Sequence, residues 1–241
     1  MPRPAAVAFW SGRLAIPLRY ICPGSRAGVF DLRRPNSVQY WTPKFNGLEG
    51  RAAYATGEAN TVAGGKPQDW SFSGTYTAGP LYLLVAYERH KDVGAAGIDQ
   101  KAWKIGGSYK FAGTTLVSLV WNRLDFNRSA TTSFDRDAWM VSVAHQIGNG
   151  QFRASYRRAD DTSGTGTTLG AFGAPATVGS TGAKQWVIGY AHSLSKRTEI
   201  YALYSKINND AGAAYDFATN GLGVVAGQDP KGFALGLKHG F

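Results

Sequence analysis

The sequence predicts an all-β fold, an incomplete antiparallel up-and-down transmembrane β-barrel of about eleven long strands that follows an irregular N-terminal segment. Three observations predict it. Apolar and polar side chains alternate from residue 36 onward, the connections alternate between short and long, and the final strand stops on an aromatic residue, Phe241. Successive side chains of a strand point to opposite faces, so each segment has one face suited to lipid and one suited to water.

Residues 1–35 show no sustained period of 2 or 3.6. They contain five of the ten prolines, six of the 26 basic residues and one of the 16 acidic residues, which leaves 20 basic against 15 acidic residues in the rest of the chain. The apolar run 5–10 is too short for the core of a signal peptide, so no export signal is visible. The sequence predicts an irregular segment over 1–35 and a partial barrel over 36–241.

Eleven segments alternate with a period of two and are separated by Gly, Pro, Asn and Asp, which is typical of antiparallel strands joined in sequence. Most have ten to fourteen residues, near the length that a tilted strand needs to cross a bilayer. The predicted strands are 36–42, 46–57, 68–78, 80–90, 100–111, 114–126, 135–147, 150–160, 183–193, 197–208 and 229–241.

The connections between these strands are sorted by length. Short ones are 43–45, 79, 112–113, 148–149 and 194–196, and long ones are 58–67, 91–99, 127–134, 161–182 and 209–228. Membrane barrels have short turns at one rim and long loops at the other, whereas a soluble β-sandwich has no such requirement. Closing an odd number of strands would place two parallel strands at the seam, so we expect the barrel to be incomplete.

Composition excludes several classes. The chain has 31 Gly, 12 Tyr, 12 Phe and 7 Trp with a mean hydropathy of −0.23, and no apolar run approaches the roughly 18 residues of a membrane helix. A single cysteine, Cys22, excludes an internal disulfide. We find no nucleophile elbow, phosphate loop or zinc-ligand spacing. The sequence therefore predicts no enzyme, no catalytic residue, no metal, no cofactor and no nucleic-acid partner.

Three short segments are similar to motifs of one known family: Asn36–Leu48 (NSVQYWTPKFNGL), Leu194–Thr198 (LSKRT) and Gly236–Phe241 (GLKHGF). On them the chain resembles the β-proteobacterial general diffusion porins, trimeric Gram-negative barrels of sixteen strands. The resemblance implies strands six to sixteen, an outer-membrane location, a homotrimer when full length, and a passive water-filled channel for small hydrophilic solutes and ions. The family's signal peptide, first five strands and inward-folded third loop have no counterpart here, so no constriction residues are carried over.

Parity within the strands predicts which charged side chains line the water-filled interior, because Lys or Arg facing lipid at mid-bilayer costs about 2 to 4 kcal/mol. The predicted pore-lining residues are Glu49, Arg51, Lys104, Lys110, Arg153, Arg157 and Lys238. Their positive excess would give a weak preference for small anions. The alternative is that they are ordinary solvated charges without measurable selectivity.

The last strand presents an apolar face to lipid, formed by Phe233, Leu235, Leu237, His239 and Phe241. The resemblance implies that this face is read by the outer-membrane assembly machinery. Aromatic residues near strand ends are predicted to form two girdles in contact with outer-membrane lipid; they are Trp70, Tyr76, Tyr87, Trp103, Tyr109, Trp139, Tyr190 and Tyr201.

Two other classes remain open at this point. A translocator barrel of an autotransporter would need a helix before the first strand, and Pro17, Pro23 and Pro35 argue against one. A soluble basic β-sheet protein that binds sugars or nucleic acid would be monomeric and soluble without detergent.

Overall fold

The structure, a computed structural model, describes residues 36–57, 65–93, 96–165, 179–217 and 222–240. The predicted irregular segment 1–35, with Cys22, lies outside the described residues, and so does Phe241. In the described part no helix is long and apolar enough to cross a membrane.

Strands account for nearly all of the regular structure in these ranges, as the alternating sequence predicts. Twelve strands are formed: β1 Ser37–Trp41, β2 Leu48–Thr56, β3 Gln68–Ala78, β4 Leu81–Lys91, β5 Gln100–Phe111, β6 Thr115–Ser129, β7 Thr132–Ile147, β8 Gly150–Ala159, β9 Ser163–Thr165, β10 Ala183–Ser193, β11 Thr198–Asn209 and β12 Lys231–His239.

The strands form one antiparallel sheet in which sequence neighbours pair with each other. The order is β1-β2-β3-β4-β5-β6-β7-β8-β10-β11-β12, and the short β9 pairs with β7 beyond the end of β8. Among the described strands β1 pairs only with β2 and β12 only with β11, so the sheet is not closed. The all-β, up-and-down and incomplete architecture is confirmed, with eleven strands along the main path.

Tight turns join the strands at one rim, which we call the short-turn rim. The first turn lies at Asn46-Gly47, where φ is 46° and 89° and the backbones of Phe45 and Leu48 exchange hydrogen bonds of 2.9 and 2.8 Å. Positive φ at both central residues is the hairpin turn that Asn-Gly favours. The predicted connection 43–45 lies within the observed connection 42–47, and the tight turn is at the end of that connection.

The opposite rim, the long-loop rim, carries the remaining connections. One of them is much shorter than the sequence predicts. The predicted loop 127–134 is wrong, because β6 and β7 continue their pairing as far as Ser129 and Thr132, with a register irregularity between Asn127 and Ser129. The polar residues that suggested a loop lie in strands that extend beyond their neighbours. Within the predicted loop 161–182, residues 163–165 form β9.

Strand register separates the side chains into two faces. The inner face holds the buried residues of the sheet, for example Ala138, Ser142 and Arg157, and the outer face holds most of the exposed large apolar side chains, such as Ile105 and Leu235. A soluble sheet buries its apolar face, so the exposure of the apolar face here indicates that lipid covers it.

Candidate functional site

All seven predicted pore-lining residues lie on the inner face. On one side of the sheet Ser73 lies opposite both Arg51 and Ala86, and Ala86 lies opposite Lys104. Glu49 and Lys110 follow from Arg51 and Lys104 by the alternation along β2 and β5. Register places Arg153 and Arg157 of β8 and Lys238 of β12 on the same face.

The charge of this face is positive along the described strands. Its basic residues are the six predicted ones and Arg136, and its acidic residues are Glu49, Asp69, Glu88 and Glu199. The excess of seven basic over four acidic residues gives the inner face a modest positive electrostatic potential. Since these residues lie on strands well apart in the sheet, they do not form a single binding pocket.

Some of these charges are neutralised locally. Arg51 Nη2 lies 2.5 Å from Glu49 Oε1 on the same strand, and its guanidinium lies 4.7 Å from the ring centre of Trp41 on β1. This pair adds little to the field of the inner face. Lys238 lies directly opposite Glu199 of β11, which reduces its contribution in the same way.

The arginines of β8 differ in their surroundings. Arg153 donates from Nε to Gln151 Oε1 at 2.5 Å. Arg157 is 4% exposed, and its Nε and Nη1 have no hydrogen-bond partner among the described residues. A guanidinium that is sheltered and not neutralised attracts anions more strongly than a solvated one, because the local dielectric constant is lower.

At the long-loop rim the first residues of the connection after β11 lie against the inner face. Ala213 and Tyr215 pack against a small cluster on β7, β8, β10 and β11, formed by Ala138, Ala159, Ala183 and Ile207. Arg136 of β7 donates from Nη1 to the hydroxyl of Tyr215 at 2.8 Å. Ala213 and Tyr215 therefore cover part of the inner face at the long-loop rim, and sequence reasoning missed this contact.

Sequence reasoning missed Arg136 and Tyr215, and the two residues differ in whether a sequence pattern could have located them. Arg136 shares the parity of Ala138 and Met140, so the pattern of β7 could have placed it on the inner face. Tyr215 lies in a connection without periodicity, and no sequence signal indicates where such a loop packs.

Acidic residues surround His90 on the inner face of β3 and β4. His90 is 1% exposed, and its Nε2 lies 2.6 Å from Glu88 Oε1 and 3.9 Å from Asp69 Oδ1. No group of side chains in the described ranges could hold a metal ion. The cluster contributes acidic charge at the side of the sheet away from Arg157.

The loop between β4 and β5 is fixed by Asp92. Its carboxylate accepts hydrogen bonds from the backbone N–H of Gly97 at 2.7 Å and of Lys66 at 3.4 Å. The Gly97 amide is the main cause that lowers the pKa of Asp92, since hydrogen bonds to the charged form favour it.

The outer face carries a continuous uncharged band across the described strands, from the short-turn rim to a row of aromatic residues. On β5 the band runs from Trp103 to Phe111, nine residues that span about 27 Å along the strand. At the usual tilt this is most of the apolar height of a membrane barrel. Aromatic contacts mark the edge of the band that is nearer the long-loop rim, for example Tyr87–Trp103 at 4.5 Å and Tyr156–Trp186 at 4.2 Å between ring centres.

The prediction is wrong for one girdle residue, Tyr201, which does not face lipid. Tyr201 lies opposite Gly236 and Ala191, which are on the inner face. Its parity is that of Glu199 and Ser205 on the same strand, so it faces the interior and not lipid. On β12, Phe233, Leu235 and Leu237 are more than 60% exposed on the outer face, and His239 shares their parity.

An antiparallel meander with an uncharged outer band and a charged inner face defines the wall of a transmembrane β-barrel. Comparison with known proteins agrees with this class. Residues 21–212 match the family of Gram-negative porins. The chain therefore belongs to the Gram-negative porin family, and its location is the outer membrane.

Individual relatives share this architecture. Outer membrane porin protein 32 of Delftia acidovorans is 26% identical over 226 residues, which are 90% of this chain and 60% of that protein. The structure of an anion-selective porin from Comamonas acidovorans is similar with a TM-score of 0.73 and 24% identity, over 93% of this chain and 65% of that one. OmpT of Vibrio cholerae aligns with a TM-score of 0.64 at 15% identity, over 91% of this chain and 69% of that one. The chain thus spans about 60% of the curated relative.

Proposed function

We propose that this chain forms part of the wall of a passive, water-filled channel that admits small hydrophilic solutes and ions with a weak preference for anions. One observation carries the proposal: every charged strand residue within the height of the uncharged outer band points to the inner face. Such a wall sieves solutes by size and biases them by its field, and it requires no cofactor and no catalytic residue.

The anion preference rests on the positive excess of the inner face and on Arg157. The pore-lining residues are Glu49, Arg51, Lys104, Lys110, Arg153, Arg157 and Lys238, and we add Arg136 at the long-loop rim. Membership of a channel family favours this function over a translocator, a soluble binding protein or an enzyme. The similar porin from Comamonas acidovorans is described as anion-selective, which agrees with the sign that the charges suggest.

Two further features of the whole protein belong to the proposal. A homotrimer in the outer membrane is supported by a similar structure of Vibrio cholerae OmpT that is described as a trimer form. The outer face of the terminal strand is proposed as the signal for the assembly machinery; Phe233, Leu235, Leu237 and His239 lie on that face of β12, and Phe241 would complete it.

A chimeric barrel tests the channel. Residues 36–241 are joined to the part of Delftia porin protein 32 that this chain does not match, and the reversal potential of the chimera is measured in planar bilayers under a salt gradient. We expect a stable, water-filled conductance whose reversal potential shows an anion preference. The variant K104Q/K110Q/K238Q removes three inner-face charges and should lower the ratio of anion to cation permeability by roughly twofold, because it reduces the field in the lumen.

The matched control is K101Q/K184Q/K231Q, which removes three lysines from the outer face. It should retain the permeability ratio of the unmodified chimera. Equal losses in the two variants, or a reversal potential on the cation side, would contradict the proposed lining.

A further inference from the structure

Three pairs of basic side chains lie on the outer face at the long-loop end of the sheet. In each pair the two residues are directly opposite on neighbouring strands. The pairs, which we call the outer basic pairs, are Arg89 with Lys101 on β4 and β5, Arg158 with Lys184 on β8 and β10, and Lys206 with Lys231 on β11 and β12. Like charges directly opposite on a sheet destabilise it, so their repeated occurrence indicates a compensating partner.

Among the residues that the structure describes, ion pairs neutralise one member of each outer basic pair. One member of each pair contacts an aspartate: Arg89 with Asp99 through Nε at 3.0 Å, Arg158 with Asp160 at 2.7 Å, and Lys206 with Asp229 at 3.9 Å. The other members, Lys101, Lys184 and Lys231, are exposed and form no ion pair within 4 Å in the described part of the chain. Lys101 does lie directly opposite Asp125 of β6, whereas no carboxylate is directly opposite Lys184 or Lys231. Lys184 and Lys231 are therefore free to bind an anion, and Lys101 is available to the extent that Asp125 does not compensate it.

An aromatic pair lies directly below each outer basic pair, two residues nearer the short-turn rim. These aromatic pairs are Tyr87 with Trp103, Tyr156 with Trp186, and Tyr204 with Phe233. Aliphatic residues continue the same face below them, for example Val85 with Ile105. The vertical order of cations, aromatic rings and aliphatic side chains matches that of a lipid with a charged headgroup, an interfacial region and acyl chains.

The pattern is absent from the strands between the first two pairs. On β6 and β7 the residue at this level, Arg123, lies 3.2 Å from Asp125, 3.1 Å from Asp135 and 3.5 Å from Asp137. This part of the outer face is acidic and internally paired. The outer basic pairs are therefore local features of three strand pairs and not a general excess of surface lysine.

We propose that the outer basic pairs bind the phosphate groups of membrane lipids in the leaflet at the long-loop rim. Lysine and arginine side chains bind lipid phosphate as point charges or bidentate donors, and the aromatic pair below fixes the depth of the bound lipid. Long loops lie outside the cell in barrels of this kind, so the leaflet is the outer one. The inference rests on the membrane location of the sheet and is independent of whether the channel conducts.

Lipid preference can be measured with the chain's own tryptophans. The full chain is refolded into phosphatidylcholine vesicles that contain phosphatidylglycerol brominated near the headgroup end of its chains, and quenching of tryptophan fluorescence gives the relative binding constant of the anionic lipid. Trp103 and Trp186 lie directly below two of the outer basic pairs. We expect a preference for phosphatidylglycerol that falls by about fivefold for a site whose lysine is removed and that weakens as salt is added.

Two variants decide the source of the preference. K101Q/K184Q/K231Q should lose it, and K104Q/K110Q/K238Q, with the same charge change on the inner face, should keep it. Since a triple variant can fail to refold, the lipid preference of the single variant K184Q is also measured; Trp186 lies two residues from this site. The charge-retaining variant K101R/K184R/K231R should keep the preference. An unmodified chain without preference, equal losses in both triple variants, or loss of subunit association in place of lipid preference would overturn the proposal.

Discussion

At the scale of single residues, glycines make room for aromatic rings on both faces of the sheet. A Cβ added to Gly236 would lie 2.2 Å from Cζ of Tyr201 on the inner face, and one added to Gly150 would lie 2.0 Å from the Tyr190 hydroxyl on the outer face. In each case a ring covers the glycine of the neighbouring strand. These glycines therefore fix where two rings lie, and they keep the Tyr201 ring against the neighbouring strand on the inner face.

Gly236→Ala tests this packing. The new methyl group must displace the Tyr201 ring, so we expect a loss of about 1 to 3 kcal/mol in the free energy of unfolding. The measurement is the urea midpoint of the chain refolded in vesicles. Gly240→Ala is the control, because nothing lies within 4 Å of a Cβ at Gly240.

The loss at Gly236 should shrink when Tyr201 is first replaced by leucine, since a smaller side chain leaves room for the methyl group. An equal loss in both backgrounds would show that the ring does not cause the cost.

At the scale of elements, the tight turns set the register that separates the two faces. Shifting a strand by one residue would exchange its lipid and water faces. Gly47 is the position most sensitive to this requirement, because its φ is 89° and a Cβ there would lie 2.3 Å from the carbonyl oxygen of Thr77 on β3.

Gly47→Ala combines backbone strain with a clash against backbone atoms that cannot move independently. Gly113→Ala has a similar φ of 70° with nothing within 4 Å, so it should show the strain alone, about 1 kcal/mol. We expect the Gly47 variant to lose at least a further 1 kcal/mol, measured as the urea midpoint. Equal midpoints for the two variants would contradict the close contact with Thr77.

Most elements could be predicted from alternation, and the exceptions have physical causes. The predicted bounds of β3 and β5 agree with the structure, because both strands alternate without interruption between clear turn residues. The sequence predicts β6 and β7 but not their extension through 127–134, because Asn127 and Ser129 are residue types typical of loops. Ion pairs between Arg123 and aspartates across the two strands support the longer hairpin, and alternation does not reveal such pairs.

The face on which the candidate site residues lie could also be predicted from alternation. Parity placed Lys104, Arg157 and the other pore-lining residues on one face, since it depends only on the period of a strand. It could not place Tyr215, because its connection packs by tertiary contacts with Ala138 and Ile207. The outer basic pairs required cross-strand register, which joins residues as distant in sequence as Arg158 and Lys184.

At the scale of the whole molecule, the sheet has two edges, an outer face suited to lipid and an inner face suited to water. Among the described strands the outer edges of β1 and β12 are unpaired, and unpaired backbone groups are costly in lipid. The described sheet is therefore expected to gain stability from any further strands that pair with these edges.

The central claim is that one face of this sheet meets lipid and the other meets water. Its most direct test is a nitroxide scan along β5, in which residues 103 to 110 are replaced one at a time by a spin-labelled cysteine in a chain carrying Cys22→Ser and refolded in vesicles. Accessibility to oxygen and to a water-soluble nickel chelate should alternate, with oxygen favoured at Trp103, Ile105 and Tyr109 and the chelate favoured at Lys104, Ser108 and Lys110. Equal accessibility to both reagents along the strand would contradict the account.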